Sequence, residues 1–146
     1  HEGGVRSGTV NVPGVVGLAA ALQLATDEMT QFSERMSRLR ARIEEAFSGV
    51  ASVNGLGAPR LPHVTNLHFP GVDGSALMRQ LQSELAIASG SACTSADPEP
   101  SHVLMGMGLS RAGANASLRI SLGRYTTDED ITGAISLLRE AVKDRS

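Results

Sequence analysis

Three positions in this 146-residue chain carry side chains whose type and setting suit chemistry. Cys93 is the only cysteine, and it stands in Ser89-Gly90-Ser91-Ala92-Cys93-Thr94-Ser95, among small and hydroxyl-bearing residues. A thiolate acts as a nucleophile where it is accessible and its surroundings are polar, and glycine beside hydroxyls predicts a hydrogen-bonding loop. The competing reading is a buried structural thiol, because free cysteine is among the most buried side chains. Arg119 stands in an alternating stretch that puts Leu118, Ile120 and Leu122 on one face and Ser117, Arg119 and Ser121 on the other. From the residues alone it is an exposed strand arginine in solvent, although its planar fork would match a carboxylate with two parallel hydrogen bonds. Thr9 closes the glycine-rich run His1-Glu2-Gly3-Gly4-Val5-Arg6-Ser7-Gly8-Thr9. Backbone N–H groups and a hydroxyl suit an anion there, but a surface turn explains a short glycine run equally well.

The elements that must position these residues follow from periodicity. Pro13 suits a helix start, and Val15, Val16, Leu18, Ala19, Ala20, Leu22 and Ala25 make that helix apolar almost all round, which predicts burial between layers. A helix of this kind without its cover is a self-association surface. From Thr30 the spacing of Phe32, Met36, Leu39, Ile43, Phe47 and Val50 predicts a second, amphipathic surface helix. Its arginines alternate with glutamates at helical spacing, so they read as an ion-paired face, not a binding patch. Val64–Phe69 predicts a strand, and Asp73 caps a helix carrying Leu77, Met78, Leu81 and Leu85. Ala86–Ala88 is a brief strand leading into the cysteine loop, followed by a short helix from about Ser101 that Gly106 or Gly108 ends. Thr126 and Glu129 form a capping-box pattern ahead of a final helix on Ile131, Ile135, Leu138 and Val142. The acids of its first turn complement the helix dipole. His63 and His68, five apart on a strand, point to opposite faces and complete no ligand set, so no metal is expected.

Composition sets the bounds. With 41% hydrophobic and 19% charged residues the chain is an ordinary globular sequence of one domain. A formal net charge of −2 gives no electrostatic reason to expect nucleic acid or an anionic membrane as partner. A single cysteine forms no internal disulfide, which suits a reducing, cytoplasmic compartment. The apolar stretch from Val15 to Ala25 is shorter than the roughly 20 residues of a spanning helix. The N-terminus has no signal-peptide pattern and reads as a cut.

Several motifs in order carry a family resemblance. The cysteine loop, then Glu99-Pro100-Ser101-His102-Val103-Leu104, then Ser117-Leu118-Arg119-Ile120-Ser121-Leu122-Gly123-Arg124 with Thr126-Thr127, resemble the cysteine desulfurases of the NifS/IscS type. These are pyridoxal-phosphate enzymes of the class V aminotransferase-like family, and the opening glycine-rich run looks like a segment of the same family. The resemblance covers essentially the whole chain. It implies an α/β fold, the two-layer small C-terminal domain of a fold-type I transferase, with a small, largely antiparallel sheet and helices mainly on one face. Residues 1–12 would be a loop left over from the large cofactor domain, and residues 13–146 the small domain, including an interdomain helix at about 13–26.

The resemblance also assigns roles. Cys93 takes sulfur from L-cysteine as a persulfide, releasing L-alanine, and hands it to an iron–sulfur scaffold or sulfur carrier protein. Arg119 holds the substrate carboxylate, and Thr9 binds the cofactor phosphate of the neighbouring subunit in a homodimer. Pyridoxal phosphate needs a lysine for its attachment, and the only lysine is Lys143, away from every matching motif. No cofactor is therefore expected on this segment alone, and no activity. The alternative is a stand-alone sulfur-relay or binding module in which Cys93 receives sulfur from another enzyme and no cofactor takes part.

Overall fold

A computed structural model describes residues 2–4, 8–89 and 99–143, and the chain forms two compact units, His1–Phe32 and Ser33–Ser146. In the second unit, two strands rich in alternating apolar residues pair with each other. β2 (Val64–His68) and β4 (Ser117–Ser121) form the centre of a four-stranded antiparallel sheet, with β1 (Ser52–Val53) outside β2 and β3 (Ala88–Ser89) outside β4. Thr65 stands opposite Ile120 and Leu67 opposite Leu118, and all four side chains are buried. The alternate residues fall on the other face, where Asn66 stands opposite Arg119.

Helices cover the apolar face. The long helix α1 (Val12–Ala46) brings Met36, Leu39 and Ile43 to it, and Phe47 just beyond meets Phe69 edge to face at 5.5 Å between ring centroids. α2 (Gly74–Leu81) contributes Leu77 and Leu81, and α5 (Asp128–Lys143) contributes Ile131, Leu138, Ala141 and Val142. The short α3 (His102–Gly106) and α4 (Arg111–Asn115) lie between the cysteine loop and β4 in the chain, each capped by the serine before it. The result is the expected small antiparallel sheet with helices on its apolar face.

Polar anchors fix the helices in place. Glu44 on α1 accepts from Arg60 at 2.7 Å and from the buried Thr65 hydroxyl at 2.8 Å, with Arg40 3.6 Å away. Burial pushes the Glu44 carboxyl up, but hydrogen bonds from Arg60 and Thr65 and the charges of Arg60 and Arg40 outweigh it. It therefore titrates below the ordinary glutamate value. Arg42 pairs with Asp128 of α5, Arg35 donates to the Thr126 carbonyl at 2.9 Å, and Arg139 of α5 donates to the Ala46 carbonyl at 2.8 Å. Of the α1 arginines, Arg40 pairs with Glu44 on α1 as expected, whereas Arg38 and Arg42 pair with Asp128 of α5 and Arg35 donates to backbone carbonyls.

Other expectations need correction. The break expected near residue 26 does not exist: α1 is unbroken from Val12 to Ala46, because Thr26-Asp27-Glu28-Met29-Thr30 contains no glycine or proline to stop it. Asn11 caps its start, its side chain accepting from Gly14 N at 3.1 Å, and Pro13 lies in the first turn as expected. Val50 is not on the buried stripe; the helix ends at Ala46, and Gly49 turns the chain at a φ of 90°. β1 and α4 were not expected. The capping box of α5 is Thr127 with Asp130, whose reciprocal bonds measure 2.8 and 3.1 Å, one residue on from the expected pair. Hydrogen bonds from the Thr127 backbone and hydroxyl hold the exposed Asp130 carboxyl below its usual value. Thr126 instead accepts from Gly123 N.

In the first unit the apolar first half of α1 is not buried. Val12, Val15, Val16, Leu18 and Leu22 are each 58–62% exposed, because no described residue of that unit packs on them. No helix among the described residues is long and apolar enough to cross a membrane.

Two substitutions probe this packing. A methyl group at Gly74 would stand 2.1 Å from the Asn115 carbonyl oxygen, where α2 starts against the end of α4. Gly74→Ala should therefore cost about 1–3 kcal/mol in urea unfolding, despite the better helix propensity of alanine. Glu44 has a depressed folded-state pKa, so its stabilisation is complete above the unfolded value and is lost as pH falls through the lower folded one. Glu44→Gln should cost about 1.5–3 kcal/mol at pH 7. Urea midpoints of the two proteins should converge as pH is lowered below about 4.

Candidate functional site

The open face of the sheet collects the polar residues of β2 and β4. Asn66 stands opposite Arg119, His68 opposite Ser117 and Val64 opposite Ser121. Arg119 is exposed, as the alternation predicts, and no carboxylate among the described residues pairs with it. On its other side, β3 pairs with β4 so that Ala88 stands opposite Arg119. The strand that leads into the cysteine loop thus runs beside the arginine. Cys93 itself lies outside the described residues. Thr9 is exposed in the first unit, just after Gly8 at a φ of 97°.

A hydrogen-bonded row stiffens this face. Ser117 Oγ donates to the Gly113 carbonyl of α4 at 2.8 Å. Asn54 Nδ2 donates to Ser117 Oγ at 3.1 Å and to Asn66 Oδ1 at 2.6 Å, while Asn54 N donates to the Asn66 carbonyl at 2.9 Å. Ser117 is 1% exposed although it shares the open face, since α4 covers it. None of these three residues was expected to matter. The available signal was a polar Asn66 within an apolar strand, which periodicity treats only as an outward position.

Two clefts lie elsewhere in the second unit. One of about 730 Å³ runs between the β2–α2 connection and α4, past His68, Asp73 and Ser110, whose side chain accepts from Gly113 N. The other, about 300 Å³, is lined by Phe47, Val72, Val142, Arg139 and Lys143. Neither takes in Arg119. Lys143, the only lysine, ends α5 in the smaller cleft and not on the Arg119 face. A pyridoxal-phosphate pocket needs a lysine among its walls, so the described residues do not fit that cofactor by themselves. No group of three His, Cys, Asp or Glu among the described residues could hold a metal ion.

The arrangement is an exposed arginine on an open antiparallel face, with β3 running beside it. A family model described as aminotransferase class-V matches residues 2–133 of the chain. The chain belongs to the aminotransferase class-V family. A cysteine desulfurase IscS of Anaeromyxobacter sp. (strain Fw109-5) is 44% identical over 146 residues, spanning 98% of this chain and 36% of that relative. Another from Methylococcus capsulatus is 44% identical over 144 residues, at 97% and 36%. The X-ray structure of a NifS-like protein from Rickettsia africae ESF-5 superposes with a TM-score of 0.81 at 28% identity, over 95% of this chain and 37% of that one. DndA from Streptomyces lividans matches at a TM-score of 0.57 and 40% identity, over 80% and 33%. This aminotransferase class-V chain therefore spans little more than a third of the length of these relatives.

Arg119 makes no ion pair that stabilises the fold among the described residues. Arg119→Ala should accordingly change unfolding stability by no more than about 0.5 kcal/mol in urea titration. A larger loss would give the arginine a structural role.

Proposed function

We propose that this chain is the small domain of a cysteine desulfurase, and that it carries the sulfur-accepting and carboxylate-holding residues of that enzyme. The observation that carries the reading is the pairing of β3 with β4, which places Ala88 beside Arg119 five residues before Cys93 in the sequence. A small amino acid held by Arg119 would lie beside the strand that precedes Cys93 in the sequence. Membership of the class-V family and similarity to IscS and NifS-like proteins support the same reading.

In the proposed reaction Arg119 fixes the carboxylate of L-cysteine with two parallel hydrogen bonds. Cys93, as thiolate, attacks the substrate sulfur. The S–S bond forms as the substrate C–S bond breaks, the bonding pair stays with the β-carbon, and that carbon takes up a proton and leaves as the methyl group of L-alanine. Cys93 is left as a persulfide for an iron–sulfur scaffold or a sulfur carrier protein. Pyridoxal phosphate supplies an electron sink when bound in the longer enzyme. Thr9, with the backbone N–H groups of its glycine run, suits the phosphate of that cofactor in the neighbouring subunit of a homodimer. The exposed apolar half of α1 suits a covering large domain, residues 13–146 being the small domain and 1–12 a loop of the larger one. A free thiol that must stay reduced suits a cytoplasmic enzyme.

The test compares this chain with a version extended upstream through a cofactor domain, each given pyridoxal phosphate and L-cysteine. Only the extended protein should show a visible cofactor band and release L-alanine. Cys93→Ser in the extended protein should stop persulfide formation while leaving the band, and Arg119→Lys should raise KM for cysteine at least tenfold. Alanine release by the 146-residue chain, or wild-type turnover by the Cys93 variant, would sink the proposal.

A further inference from the structure

The hydrogen bonds on the open face settle which way each amide points. The Gly113 carbonyl can only accept, so the Ser117 hydroxyl, 2.8 Å away, spends its proton there. The oxygen lone pair of Ser117 that faces Asn54 then needs a donor, which makes the near atom of Asn54 its NH₂. That same NH₂ lies 2.6 Å from Asn66, so the Asn66 atom facing it is the carbonyl oxygen. The NH₂ of Asn66 is left turned away from Asn54, on the face where Arg119 stands directly across the strand pair. No acceptor among the described residues takes its hydrogens.

Arg119 and the Asn66 NH₂ are both donors without an acceptor of their own among the described residues, and two donors cannot satisfy each other. Directly opposed residues on an antiparallel pair have their Cβ atoms roughly 4.5–5.5 Å apart, close enough for one small anion to reach both. We infer that Asn66 is a second ligand for the carboxylate that Arg119 holds, its amide oriented by the row Gly113–Ser117–Asn54. This rests on the proposed role of Arg119 and adds a specificity residue to it. A carboxylate offers lone pairs on both oxygens and can take the guanidinium fork and the amide together, whereas a carboxamide offers one oxygen and a competing NH₂.

The experiment is side-chain ¹⁵N NMR on the 146-residue chain, titrated with L-alanine as the carboxylate probe and with L-alaninamide as its control. L-Alanine should shift both the Asn66 NH₂ and the Arg119 Nε signals, and L-alaninamide neither. Asn66→Asp keeps an oxygen for Asn54 but sets a second one against Arg119. It should leave the melting temperature unchanged or raised and weaken L-alanine binding roughly tenfold. Ser117→Ala, which releases the orientation of Asn54 without touching Arg119, should weaken it severalfold and serves where the aspartate variant folds poorly.

If Arg119 responds while Asn66 does not, and both variants bind as the wild type does, this inference is overturned and the role of Arg119 stands. If neither signal responds, or Arg119→Ala binds as well as wild type, both fall. Equal shifts with L-alaninamide would also overturn it, since the carboxylate would not be what is recognised.

Discussion

The pairing of β2 with β4 is the constraint on which the second unit depends. The ladder extends past both strands, with Phe69 N donating to the Ala116 carbonyl at 2.9 Å and Leu122 N to the His63 carbonyl at 2.8 Å. Side chains alternate with period two, so this one register decides simultaneously that Leu67, Leu118 and Ile120 enter the core and that Asn66 and Arg119 do not. A slip of β2 by one residue would bury an asparagine against the helices and expose Leu67. The core and the candidate site are thus two consequences of one alignment, and neither can be altered without the other.

Helix placement answers a different problem, which is how to satisfy polar groups near that core. Thr65 points to the helix side and is 2% exposed, so its hydroxyl needs a partner there. Glu44 supplies it, and the charge this brings inward is neutralised by Arg60 and Arg40. The same cluster ties the connection before β2 to α1, because Arg40 also donates to the Leu61 carbonyl at 2.6 Å. Arg35 and Arg42 do the equivalent for the start of α5. Exposed ion pairs contribute little on their own, but Arg35 and Arg40 reach backbone carbonyls and so tie loop positions to α1.

What the sequence shows and what it hides divide along physical lines. Strong periodicity is local, so β4, α2 and α5, and the outward face of Arg119, can be read residue by residue. Elements too short for a period to recur cannot: β1 has two residues and α4 has five, and neither reaches a second repeat. The α5 cap was ambiguous because Thr126 and Thr127 are each followed three residues later by an acid, and only geometry chooses Asp130. The α1 break was inferred from a change in pattern, but a change of buried face does not end a helix unless a residue there opposes helical geometry. The row through Asn54, Asn66 and Ser117 joins residues up to 63 apart in sequence, and no local rule connects them.

The two least satisfied parts of the chain point to the same requirement. In the first unit, side chains such as Val15, Leu18 and Leu22 remain about 60% exposed, and burying each would stabilise by roughly 1.5–3 kcal/mol. Their arrangement around the whole helix rules out a single buried stripe as their purpose, because a one-sided contact would leave polar residues on the far side. On the sheet, Arg119 and the Asn66 amide offer donors with no acceptor among the described residues. Exposed apolar surface favours an apolar cover, and two opposed donors can be met together by an anion or by water. Neither demand is met by folding the second unit, whose own core is complete around Met36, Leu67, Leu118 and Leu138. The fold is thus satisfied at its centre, while among the described residues it leaves apolar side chains exposed in the first unit and opposed donors on the sheet of the second.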